Sequence, residues 1–197
     1  MNLFYLHEDA SICAQMHNNK HTVKMIVEVA QMLSTAHRVL DGELHVVQNP
    51  INNRKKKIYL MPGESHTWIF TKPDDEGIVR AKSSFSTSLY AATHINHPSA
   101  VWIRDSISNY IYAYCLLEEL CKEYTYRYGK THKTESLLDL FSEPPKNISN
   151  KPFYQPPQCM PDYCKDECSV KAYRNYYVQE KSDMLEYKKR EKPYWLN

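Results

Sequence analysis

The strongest hydropathic pattern in the chain lies in residues 17–38, HNNKHTVKMIVEVAQMLSTAHR, which read as one helix. At about 100° per residue, His17, His21, Lys24, Glu28, Gln31 and Thr35 fall on one straight stripe roughly 80° wide. Val23, Met25, Ile26, Val27, Val29, Ala30, Met32, Leu33 and Ala36 fill the rest of the wheel. An ordinary surface helix turns a broad polar side to water. This one is patterned for burial on most sides, with a narrow seam of ionisable groups. Two readings follow. The seam is either a narrow solvent stripe or the floor of a catalytic or binding cleft. The second reading follows from its mixture of imidazole, ammonium, carboxylate and amide.

The same patterning sets out the remaining elements. Residues 1–8 alternate loosely, as a short strand or an extended lead-in. Asp9 is a good N-cap for a short helix through Met16. The long helix runs from about Asn19 to Leu40 and stops at Asp41-Gly42. Residues 43–97 are rich in turn signals and form an irregular middle, in which KKIYLM is compatible with a short strand. A second long helix starts at Pro98, capped by Asn96 or His97, and runs to about Tyr128 before Gly129. Its apolar face holds Trp102, Ala113, Leu116, Leu117, Leu120 and Tyr124, but also Ser106, Asn109 and Arg127. Those three polar groups are either satisfied within the core or meet the first helix's seam across a pocket. A shorter helix covers Thr134–Phe141. Residues 142–166 form a Pro-rich strap that Phe153, Tyr154 and Met160 can pin to the body, and a last helix spans about Glu167–Lys189. The expected fold is mainly α. It is a compact single domain over residues 1–197, with two long core helices, an irregular middle and a C-terminal helix after the strap.

Composition adjusts this picture only slightly. With 197 residues, 42% hydrophobic and 24% charged, the chain can bury a real core and is not a disordered segment. The longest strictly apolar run, Tyr110–Leu117, is too short to span a bilayer. The N-terminus has no secretory pattern, so a cytoplasmic protein with no membrane association is expected. A net charge of +2 decides little, but Arg54-Lys55-Lys56-Lys57 and Lys188-Lys189-Arg190 are compact basic runs. Each is either a solvated surface or a set of phosphate contacts. Sixteen tyrosines against four glycines supply stacking faces with polar tips. Cys159, Cys164 and Cys168 lack the paired spacing and fourth ligand of a structural zinc site, and free thiols are expected.

The candidate chemistry centres on the seam. There is no G-x-G-x-x-G, no Walker loop and no G-x-S-x-G, so no cofactor is assigned. His17, His21, His94 and His97 could together supply metal ligands. However, H-E-x-x-H is absent and Lys24 would repel a cation, so no metal is assigned. What remains is acid–base or covalent work. Glu28, His21, Lys24 and His17 are the candidate catalytic residues. Gln31, His97, Arg104, Ser106, Asn109, Arg127 and Lys130 are the candidate substrate-binding residues. A Glu28 carboxylate paired with Lys24 or Arg104 can steady a developing positive charge, such as that on a sugar during glycosidic cleavage. His21 or His17 would then carry the proton.

The stretches KMIVEVAQMLSTAHRVLDG, NHPSAVWIRDSISNY, EYTYRYGKTHK and AYRNYYVQEK resemble a family of small proteins of phages and large DNA viruses. The layout is also similar to phage pyrimidine-dimer DNA glycosylases of the endonuclease V type, which are compact α proteins with a catalytic glutamate on a helix. That resemblance implies that Glu28 is the helix glutamate and that DNA or a nucleotide is the partner. Those enzymes use the free amine of a small second residue. Here Asn2 is bulky, so the amine would be that of Met1, and Schiff-base lyase chemistry is in question. The lead expectation is a phage-type enzyme acting on a base or nucleotide in DNA, by DNA glycosylase-like cleavage of an N-glycosidic bond. The alternatives are a non-catalytic phage protein that binds host protein or nucleic acid, and a metal-dependent hydrolase built on the histidines.

Overall fold

The computed structural model describes residues 2–196. Its helical body is built from α1 (Ala10–Met16), α2 (Asn19–Asp41), α3 (Pro98–Asp105), α4 (Ile107–Tyr128), α5 (Leu138–Phe141) and α6 (Ser169–Glu180). Asp9 caps α1 by accepting from the Ile12 N–H, and Asn18 caps α2 by accepting from the His21 N–H. His17 therefore sits in the junction between two helices and not on the α2 wheel. Gly42 ends α2 where a Cβ would lie 2.4 Å from the Arg38 carbonyl oxygen, so no larger residue fits. The apolar side of α2, with Met25, Ile26, Val29, Met32 and Leu33, is fully buried. It packs against α3 and α4.

The segment expected to be a single helix from Pro98 is two. His97 caps α3 through its ring, and Ser106 leaves helical geometry and caps α4 by accepting from the Ser108 N–H. Ser106 also donates to the Lys151 carbonyl at 2.6 Å. That bond fixes the start of α4 to the strap. Gly129 ends α4 at φ 66°, a left-handed position that glycine adopts without strain. The last helix is shorter than its sequence pattern suggests, ending at Glu180.

The mainly α expectation is corrected. Helices of all kinds make up 46% of the chain and strands 11%, so the architecture is mixed α+β. The residues read as an irregular middle form two antiparallel hairpins. β1 (Glu43–Gln48) pairs with β2 (Lys55–Leu60), and β3 (His66–Phe70) pairs with β4 (Ala81–Phe85). The hairpins were hard to see because they bury so little. Ile58 is buried, whereas Leu44, Val46, Ile69 and Phe70 are exposed, so apolar residues do not mark the inner face of these strands. One side chain ties them to the body. Arg38, on α2, donates to both Glu64 carboxylate oxygens at 2.5 and 2.8 Å and to the Tyr59, Leu89 and Tyr90 carbonyls. The side chains of both ion-pair partners are buried.

The N-terminal segment Leu3–Leu6 forms no helix or strand but is buried, and it contributes to the same hydrophobic cluster as α2, α4 and α6. Phe4 contacts Tyr173, Tyr176 and Tyr177 of α6. The strap crosses the body by backbone bonds. Trp102 donates to the Tyr154 carbonyl at 2.9 Å and Asn2 to the Cys159 carbonyl at 3.0 Å. Phe153 rests beside Tyr5, Trp102 and Tyr112. Among the described residues no helix is long and apolar enough to cross a membrane.

Candidate functional site

The α2 seam opens into a cavity of about 400 Å³. His21, Lys24 and Glu28 line it from α2, together with Lys20. The opposite wall comes from elements far away in sequence: Asn2 and Phe4 from the N-terminal segment, Cys159 from the strap, Tyr176 from α6, and Lys181 and Met184 just after it.

Glu28 is the only carboxylate among these lining residues, and its side chain is 15% exposed. One oxygen lies 3.2 Å from the Lys24 ammonium, a reach set by the i, i+4 spacing. The other accepts the Asn2 backbone N–H at 3.1 Å. Asn2 is itself held in place. Its amide donates to the Cys159 carbonyl, and its side-chain oxygen lies 2.7 Å from the Tyr173 hydroxyl. The strap and α6 thus fix the backbone group that orients Glu28. Lys24 is 62% exposed on its side chain, so its amine is not desolvated as a lysine nucleophile requires. Met1, whose amine was the other candidate nucleophile, lies outside the described residues.

His21 is 5% exposed and stacks on Phe4 with ring centroids 4.2 Å apart. Its tautomer follows from its neighbours. Asn18 must turn its oxygen to the His21 backbone N–H, so its NH2 is the group 3.4 Å from Nδ1. The Tyr177 hydroxyl, kept protonated by burial, lies 2.6 Å from the same nitrogen and donates to it once the Asn18 NH2 marks that nitrogen as the acceptor. Two donors aimed at Nδ1 leave it unprotonated and put the ring proton on Nε2. Burial, then the fields of His17, Lys24 and Lys181, push the His21 pKa down to about 3. The ring presents a neutral N–H and is not a proton carrier near neutral pH.

The remaining sequence candidates divide clearly. His17 is fully buried, 2.7 Å from the Cys13 carbonyl, and burial, opposed by that hydrogen bond, takes its pKa down to about 4. Ser106, Asn109 and Arg127 are also fully buried and do not join the cavity. Asn109 bridges the Trp102 carbonyl and the Tyr154 N–H, and Arg127 pairs with Glu123 at 2.6 Å and donates to the Gln15 carbonyl. Each satisfies backbone or charge that burial would otherwise leave unpaired. Arg104 donates to the Ile95 carbonyl at 2.6 Å, Lys130 is an exposed loop residue, and Gln31 is half-buried farther along α2. None of the three lines the cavity. His97 caps α3; burial first, opposed by the field of Glu28, lowers its pKa. Among the described residues no three His, Cys, Asp or Glu side chains converge as a metal site, and the six cysteines are free.

The cavity residues missed in the sequence are Asn2, Phe4, Lys20, Cys159, Tyr176, Lys181 and Met184. The spacing of tyrosines in AYRNYYVQEK marks an amphipathic helix, but nothing in it says that Tyr176 faces α2. Lys181 stands 4.7 Å over the Tyr176 ring, and that ring lies nearly parallel to Phe4 at 5.9 Å. The cavity therefore combines aromatic faces, three ammonium groups, one oriented carboxylate and one neutral imidazole N–H. No family model matches the chain, and no curated protein or solved structure matches it.

Proposed function

We propose that the α2 cavity binds a nucleotide unit, free or in DNA, and that Glu28 assists hydrolysis of its N-glycosidic bond. The observation that carries this reading is the isolated, doubly held Glu28 carboxylate in a cavity that is otherwise aromatic and cationic. Lys20, Lys24 and Lys181 suit phosphate, and Phe4 and Tyr176 offer faces to a base. As the bond from the sugar to the base breaks, positive charge grows on the sugar, and the fixed carboxylate opposes it. Water adds its hydroxyl at the same carbon, and the proton that the water gives up ends on the departing base. His21 Nε2–H contributes a hydrogen bond to the departing base or to a phosphate oxygen without giving up its proton. The resemblance to phage-type DNA glycosylases points to the same residue.

The test is base release from a panel of nucleotides and of single- and double-stranded oligonucleotides carrying damaged bases. Glu28→Gln should reduce turnover at least about 100-fold. Its melting temperature should fall by no more than about 4 °C, because a half-exposed ion pair contributes at most about 1 kcal/mol. Nucleotide binding without base release by the wild-type protein would instead favour a non-catalytic binding protein. Base release by Glu28→Gln at the wild-type rate would overturn the mechanism.

A further inference from the structure

A second concave surface lies away from the α2 cavity, between the two hairpins. The Lys56 ammonium reaches from β2 to the Ser83 hydroxyl of β4 at 3.2 Å and joins their edges. The groove so formed has a volume of about 470 Å³. Arg54, Lys55, Lys56 and Lys82 line it, and no acidic residue does. Among the described residues none of these four cations has a carboxylate within ion-pair distance; the nearby pairs are Arg80–Asp74 and His45–Glu43. Such a concentration of unneutralised charge attracts a polyanion. Trp68 lies in the same groove and supplies a flat π face. Asn49 and Asn52 also line it. Their oxygens accept turn N–H groups, which leaves both NH2 groups as free donors among the described residues.

We propose that this groove binds single-stranded nucleic acid, with phosphates on Arg54, Lys55, Lys56 and Lys82 and an unpaired base stacked on Trp68. The aromatic face selects the strand form, because a paired base does not expose its face to a side chain. The charge alone would suit any polyanion, and Trp68 among the cations makes the choice. The inference extends the nucleic-acid reading of the α2 cavity but rests on different residues.

The test is titration of the full chain with a fluorescent single-stranded oligonucleotide at several salt concentrations, following both anisotropy and tryptophan emission. Four phosphate contacts at about 0.7 ion each predict a log–log salt slope near −3, or about a 50-fold loss of affinity from 50 to 200 mM salt. Lys55→Ala with Lys82→Ala should halve that slope. Trp68→Phe should abolish the quenching, since Trp102 is buried and Trp195 donates to the Met16 sulfur. These substitutions change exposed or half-exposed side chains, so melting should be unaltered, and mononucleotide binding at the α2 cavity should be unchanged. An oligonucleotide affinity insensitive to the hairpin substitutions would overturn the groove while leaving the cavity reading intact. Equal affinity for heparin, or quenching that survives Trp68→Phe, would also overturn it.

Discussion

Asn18 shows how one side chain can set the chemistry of another. Its oxygen caps α2 and its NH2 faces His21 Nδ1, so a helix-capping residue also selects the tautomer of a cavity histidine. The expectation that His21 carries a proton near neutral pH came from its free-solution behaviour. The sequence shows neither the buried Tyr177 hydroxyl nor the Phe4 ring that desolvates it. We expect the His21 ring nitrogens, followed by 15N NMR, to report an Nε2–H tautomer that does not titrate between pH 8 and 5. A midpoint near 6.5 would contradict the assignment. Glu28 was legible for the opposite reason. Its position between Lys24 and Gln31 on an otherwise apolar wheel is a local property, and the i, i+4 contact with Lys24 is fixed by helix geometry alone.

At the scale of elements, helices with strong caps and wide apolar faces could be read directly. α1 and α2 begin after Asp9 and Asn18, and α4 ends at Gly129, as capping rules require. Of the hairpins only β2 left a trace, in KKIYLM, because they are tied to the body mainly by the buried Arg38 and its pair with Glu64 and only slightly by apolar burial. Burial raises the Glu64 pKa, but hydrogen bonds from Arg38, Thr87 and the Met61 N–H outweigh it and bring it down to about 2. Glu64 therefore binds a proton more readily unfolded than folded. Its stabilising effect is complete above about pH 4.5 and is lost as pH falls toward 2. Glu64→Gln leaves Arg38 buried without a counter-charge and should cost about 3 kcal/mol, lowering the melting point by roughly 10 °C. Chemical denaturation at pH 7 checks this. An unchanged midpoint would mean that the hairpins are held by other contacts.

For the whole molecule, the site is assembled from segments that only the tertiary fold brings together. Asn2, Cys159 and Tyr176 meet α2 because the N-terminal segment runs under α6 and the strap closes over both, and no local pattern encodes that crossing. The same burial has a global consequence. His17 and His21 titrate near 6.5 when unfolded but near 4 and 3 when folded, so the unfolded chain binds more protons as pH drops. Stability should be complete above about pH 6.5 and fall by roughly 4 kcal/mol between pH 7 and 5. Urea unfolding at the two pH values measures this, and equal stability at both would show that the histidines are not buried as described. We propose that Glu28, in the α2 cavity, assists the chemistry. Its most direct test is base release by the wild-type chain and by Glu28→Gln, with melting followed on the same samples. Turnover is expected in the first and a loss of at least about 100-fold in the second, with the fold retained. Base release that continues at the wild-type rate in a folded Glu28→Gln chain would contradict it.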